Sequence, residues 1–98
     1  MLTKDNILNQ IVLNKTKLER YGVVEIGLFG SYVRDEQTRD SDIDILIDFA
    51  PENEKFDNFI EVCFLLEKIF KGKKIEIVTK NGLSPYIGPK ILKEVEYV

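Results

Sequence analysis

A small α/β (α+β) fold, with a mixed β-sheet of about three to four strands flanked by helices, is what this sequence predicts, and three observations carry that reading. Apolar side chains recur at helical spacing from Ile7 to Leu18 and again from Phe59 to Phe70. Short apolar or alternating runs at 23–29, 43–48 and 74–79 have the period of strands. The elements interleave as helix, strand, turn, strand, helix, strand, helix in a chain of 98 residues that is 44% apolar. That length suits one compact domain spanning 1–98. At this size roughly 60 to 65% of the unfolded surface is buried on folding, so the expected site is an open groove.

Thr3 suits the N-cap of the first helix, whose apolar positions Ile7, Ile11 and Leu18, flanked by Leu8 and Val12, continue to about Tyr21 before Gly22 ends it. Val23 to Phe29, closed by Gly30, reads as a buried strand, and Ser31 to Asp35 as a turn or short helix. Ile43, Ile45 and Ile47 alternate with Asp44, Leu46 and Asp48. This gives a second strand with one apolar face and carboxylates on the other, stopped by Ala50-Pro51. From Asp57 the spacing of Phe59, Val62, Cys63, Leu66, Ile69 and Phe70 predicts a helix that Gly72 terminates. Ile60 and Phe64 lie round from that stripe, and the loop from Phe49 to Phe56 is expected to cover them rather than leave a docking patch. Lys74 to Thr79 forms the third strand and Asn81-Gly82 turns. Pro85 to about Glu94 is a weaker helix interrupted at Gly88-Pro89.

Charge narrows the partners. With 17 acidic and 14 basic residues the net charge is −3, without the basic footprint of a nucleic-acid-binding domain, so direct nucleic-acid binding is disfavoured. Residues 35–61 hold ten acids and two bases, whereas 68–80 hold five lysines and only Glu76. An anionic substrate approaches such a carboxylate-rich segment only with divalent cations. The absence of histidine removes Ser-His and Cys-His catalysis and histidine-ligated metals. A single cysteine, Cys63, permits neither an internal disulfide nor a multi-cysteine zinc site, and suits a core filler in a reducing, cytoplasmic protein. The start MLTKDNILNQ lacks a signal-peptide pattern, and no apolar run reaches the ~18 residues of a membrane span, so a soluble protein without membrane contact is expected.

The informative segment runs from Leu28-Phe29-Gly30-Ser31-Tyr32-Val33-Arg34 to Ser41-Asp42-Ile43-Asp44. Each part alone is weak: a Gly-Ser after a strand is more often an ordinary turn, and Asp-x-Asp before a strand is more often a pair of solvated turn formers. Together they gain meaning. Gly30 lets backbone approach a ligand and leaves N–H groups, with the Ser31 hydroxyl, for a phosphate. Asp42 and Asp44, two apart on a strand, project to one face roughly 6 to 7 Å apart and suit a hard cation such as magnesium. Two such ions about 3.5 to 4 Å apart polarise an attacking hydroxyl and steady a leaving pyrophosphate. A third carboxylate is then needed, and Glu76, in the alternating run Lys74-Ile75-Glu76-Ile77-Val78, is the candidate, although a plain surface glutamate fits that pattern nearly as well.

Gly30-Ser31-x-x-Arg34 with Ser41-Asp42-x-Asp44, Asp42 standing eleven positions after Ser31, resembles the signature of the DNA polymerase β-type nucleotidyltransferase superfamily. In size and flanking sequence, over nearly the whole chain, the protein is most similar to the minimal nucleotidyltransferases (MNT), the antitoxins of HEPN/MNT toxin-antitoxin pairs. The resemblance implies a nucleotidyltransferase fold and magnesium-dependent transfer of AMP from ATP to a hydroxyl. For these antitoxins the acceptor is a tyrosine of the partner HEPN ribonuclease, and the added AMP silences the toxin. It further implies that Gly30, Ser31 and Ser41 serve the nucleotide, that Arg34 steadies the loop or a phosphate, and that Asp42, Asp44 and Glu76 hold one or two Mg²⁺. Glu76 would also help to deprotonate the acceptor. This chain departs from the family pattern twice. Asp35 stands where relatives usually have glycine, and the third carboxylate is more often aspartate than glutamate. Two other functions fit the same sequence: an antitoxin that neutralises by contact alone, or a transferase acting on a small molecule or RNA with a second subunit.

Overall fold

The computed structural model describes residues 2–98. Its elements are α1 (Lys4–Leu13), α2 (Lys15–Glu19), β1 (Val23–Phe29), β2 (Ile43–Phe49), α3 (Phe56–Ile69), β3 (Ile75–Thr79), α4 (Gly88–Glu94) and β4 (Glu96–Tyr97), with single 3₁₀ turns at Pro51–Asn53 and Lys80–Gly82. The four strands form one mixed sheet in the order β3-β2-β1-β4. β1 is antiparallel to both β2 and β4, while β2 and β3 are parallel and joined by the crossover that contains α3.

Alternation decides what each face of the sheet carries. Ile43, Ile45 and Ile47 are fully buried and pack with Ile26 and Leu28 of β1, Ile7, Ile11 and Leu18 of the first helices, and Val62 and Leu66 of α3. The opposite face bears Phe29 and Gly27 of β1, Asp44, Leu46 and Asp48 of β2, and Glu76 and Val78 of β3. α1, α2 and α3 therefore pack on one side, and the carboxylates sit on the other.

Four expectations need correction. The first helix does not run unbroken to Tyr21. Asn14 leaves helical geometry (φ −109°, ψ 8°), and its Nδ2 donates to the Gln10 carbonyl at 2.8 Å, so the segment divides into α1 and α2. The Thr3 cap forms as expected, with Asn6 completing a capping box. Gly88-Pro89 starts α4 rather than interrupting a longer helix, because a proline in the first turn gives up an N–H that has no helical acceptor anyway. The short strand β4 had no alternating signal; it exists through pairing with Gly27 and Leu28 of β1. Lastly, Phe56 does not cover Phe64: the two are 75% and 61% exposed. Cys63 is only half-buried, and burial followed by the nearby Glu67 pushes its thiol above the ordinary value, which keeps it a poor nucleophile.

Gly27 is what lets the C-terminal segment close. A Cβ there would lie 2.5 Å from Val95 Cγ2 and 2.9 Å from the Glu96 carbonyl oxygen. Replacing Gly27 by alanine is therefore expected to unseat β4 and to cost roughly 1–3 kcal/mol in a denaturant titration. An unchanged midpoint would show that β4 does not need this close approach.

Candidate active site

Strand register assembles the carboxylates. Asp44 lies opposite Glu76 across the parallel β2–β3 pair and opposite Phe29 across the antiparallel β1–β2 pair. Asp42 immediately precedes β2, two residues from Asp44 and so on the same face. Asp44 is half-buried and Glu76 is exposed on the edge strand.

The electrostatics follow from that placement. The Asp44 carboxyl is pushed from its ordinary value of 3.8 to about 6, first by burial, then by the charges of Glu76 and Asp42, with Arg34 opposing weakly. No ion pair among the described residues involves Asp42, Asp44 or Glu76. The contrast lies further along the same face, where Glu25, opposite Asp48, receives Lys80 at 3.3 Å. Among the described residues no three acidic or sulfur ligands converge tightly enough to cage a cation unaided. The donor set instead suits an ion that takes one or two carboxylates and completes its shell with water and phosphate.

Gly30 ends β1 with φ +82°, and a Cβ at that position would collide with Asp44 Oδ2. Glycine is required on both counts, conformation and space. The chain then makes a tight helical turn: the N–H groups of Val33 and Arg34 both donate to the Gly30 carbonyl, and the Glu36 N–H donates to that of Ser31. Tyr32 is fully buried in the core and anchors the turn from below, although its hydroxyl has no partner among the described residues. Asp35 adopts φ +57°, the left-handed conformation that glycine takes more easily.

Arg34 is already engaged. Its Nε donates to Glu36 at 2.8 Å and its Nη1 to both oxygens of Glu94, at 2.9 and 3.0 Å. Glu94 also accepts the Gly30 N–H at 2.7 Å, an arrangement that sequence reasoning missed. No local signal announces it, because Glu94 ends a weak helix and meets Gly30 only after β4 folds back on β1. Ser41 uses its hydroxyl to accept from the Thr38 N–H at 2.8 Å, closing the 38–41 turn that leads into Asp42. Lys73 braces the same loop through the Arg39 carbonyl at 3.3 Å. Two clefts, of about 310 Å³ beside Lys4 and Tyr32 and about 410 Å³ beside Phe56 and Phe59, contain none of the three carboxylates.

Known proteins resemble this chain in sequence and in fold. Residues 11–98 match the model of the nucleotidyltransferase domain family. The chain is 44% identical to the protein adenylyltransferase MntA of Thermococcus cleftensis, over 100% of this chain and 98% of that protein. Among solved structures, one described as a candidate minimal nucleotidyltransferase aligns with a TM-score of 0.81 at 26% identity, covering 97% of this chain and 95% of the other. A toxin-antitoxin crystal structure with AMP-PNP aligns with a TM-score of 0.68 at 25% identity, covering 91% of this chain and 69% of the other.

Two outcomes follow for the free protein in the presence of a chelator. Because the folded pKa of Asp44 lies above the unfolded one, the folded state binds the proton more tightly, and stability falls as pH rises from 3.8 to about 6. Asp44→Asn should therefore melt higher than the parent at pH 7, with the gap closing near pH 4; a lower melting temperature at pH 7 contradicts the crowding. Asp35→Gly should stabilise by about 1 kcal/mol by relieving the left-handed backbone, and a loss of stability would show that the Asp35 side chain earns its place.

Proposed function

The chain belongs to the nucleotidyltransferase domain family, and we propose that it transfers AMP from magnesium-bound ATP to a tyrosine hydroxyl of a partner HEPN-type ribonuclease toxin, acting as its antitoxin. The observation that carries this reading is the uncompensated crowding of Asp44 with Glu76 and Asp42, placed against the Gly30 turn. Charge of that density beside a backbone turn fits a divalent ion that arrives with a polyphosphate. Asp42, Asp44 and Glu76 are the residues that would hold it, each offering the hard oxygen ligands that magnesium takes. When bound, magnesium neutralises phosphate charge and favours the attacking oxygen as its alkoxide or phenolate.

The protein's own groups divide the remaining work. Gly30 gives the nucleotide room beside Asp44, and the Ser31 hydroxyl and N–H supply donors for its phosphates. Arg34 and Ser41, each tied into the loop, hold the two ends of the segment that joins Gly30 to Asp42. The acceptor oxygen forms a bond to the α-phosphorus while the α–β phosphoanhydride bond breaks and pyrophosphate departs. The acceptor's proton passes to Glu76, whose exposed position on the edge strand leaves it reachable by a second protein. Most of the acceleration in such a transfer comes from positioning and charge neutralisation. The full-length similarity to a protein adenylyltransferase supports a protein acceptor, and the fold shared with a toxin-antitoxin crystal structure supports a toxin as that protein.

Intact-mass measurement of the partner after incubation with this protein, ATP and Mg²⁺ tests the proposal. One or more added AMP masses are expected, lost with chelator and reduced at least about 100-fold in rate by Asp42→Asn. Labelling that survives this substitution contradicts the assignment. Protection from the toxin that is unaffected by the substitution, with no mass added, points instead to neutralisation by contact.

A further inference from the structure

Glu94 occupies an unusual position. It stands in the last turn of α4, where the helix dipole disfavours a carboxylate, and its side chain is only 19% exposed. Its presence there is offset by the Gly30 N–H at 2.7 Å and by Arg34 Nη1 at 2.9 and 3.0 Å. Gly30 thus sits between two carboxylates, with its Cα hydrogen side against Asp44 and its N–H on Glu94. The contact spans the fold: Gly30 ends β1, whereas Glu94 is sixty-four positions later and is brought back by β4. By contrast, the N–H groups of Ser31 and Tyr32 have no acceptor among the described residues.

We propose that Glu94 is a positioning residue for AMP transfer: clamped by the Gly30 N–H and Arg34, it fixes the loop over Asp44, so that Arg34 serves the loop and leaves the phosphates to Ser31 and its neighbours. This role rests on the nucleotide reading given above. It makes the C-terminal segment part of the catalytic apparatus, although no residue of that segment touches a reacting atom. It differs from two rival roles. In one, Glu94 is a stand-in anion that the triphosphate expels; in the other, Arg34 leaves Glu94 to bind phosphate.

Glu94→Gln separates these roles, because it keeps an acceptor for Gly30 and a similar volume while removing the charge that holds Arg34. The clamp predicts a fall in kcat of roughly 10- to 100-fold, the scale of a misplaced reacting group, with nucleotide affinity changed less than about threefold. Arg34→Gln should match it, and the double substitution should add little, because the pair acts as one unit. Tighter nucleotide binding by Glu94→Gln overturns the clamp in favour of the stand-in anion. A much larger affinity loss in Arg34→Gln than in Glu94→Gln overturns it in favour of a phosphate-binding arginine.

Amide NMR supplies a readout that does not depend on turnover. Without nucleotide, the Gly30 amide proton should move upfield in Glu94→Gln, since the acceptor loses its charge; an unmoved resonance contradicts the contact. On adding magnesium and a nonhydrolysable ATP analogue to the unaltered protein, the Ser31 and Tyr32 amides should shift while Gly30 stays. Loop amides that ignore the nucleotide altogether overturn the nucleotide reading and this role with it. Shifts at Ser31 and Tyr32 accompanied by a Gly30 amide that moves to its Glu94→Gln position leave the nucleotide reading intact and overturn the clamp alone.

Discussion

The Gly30 backbone and the Asp44 carboxylate share a space too small for a methyl group, and the placement of the other elements preserves that approach. It depends on register. Phe29 opposite Asp44 brings the end of β1 to the start of β2, and Glu76 opposite Asp44 brings β3 to the other side. A slip of one residue would turn Ile43, Ile45 and Ile47 out of the core and drive Asp44 and Asp48 into it. Burying one such isoleucine contributes roughly 1.5–3 kcal/mol, and an unpaired carboxylate in its place adds a penalty of its own. The core thereby enforces the geometry of the opposite face.

That face carries a charge the fold does not neutralise. Arg34 is paired with Glu94 and Glu36, Lys80 with Glu25 and Lys4 with Glu96, so none of these cations forms an ion pair with the three acids. Exposed pairs of this kind contribute little stability, about 0–1 kcal/mol each, so their importance lies in where they direct cations. Asp44 remains half-buried among like charges, a cost that natural proteins tolerate mainly where function requires it. Under the proposed function, the same bias would let an acidic protein take an anionic substrate, because the field favours a metal-loaded nucleotide over a bare one.

The parts of this arrangement that were legible in the sequence are those with a local period. β1 and β2 were readable because apolar side chains dominate Val23 to Phe29 and recur at every second position at Ile43, Ile45 and Ile47, and α3 because Val62, Leu66 and Phe70 fall on one stripe. The Gly30-Ser31 and Asp42-x-Asp44 segments were legible through their combined spacing, and the matched register of Asp44 and Glu76 is consistent with the grouping expected from it. What escaped notice depends on contacts distant in sequence. Asn14 breaks the first helix through one side-chain hydrogen bond that does not disturb the apolar pattern. β4 is two residues long and gains its identity from β1, and Glu94 becomes significant only once β4 has paired. Phe64 stays exposed, as does Phe56, which opens α3 instead of belonging to the loop before it.

The most direct test of the account is to locate the metal. Crystals grown with Mn²⁺ and a nonhydrolysable ATP analogue, measured at a wavelength where manganese scatters anomalously, should show a peak bridged by oxygens of Asp42 and Asp44, with Glu76 within reach and the triphosphate beside Gly30 and Ser31. A peak remote from these side chains, or a nucleotide bound with the three carboxylates turned apart and no metal between them, would contradict it.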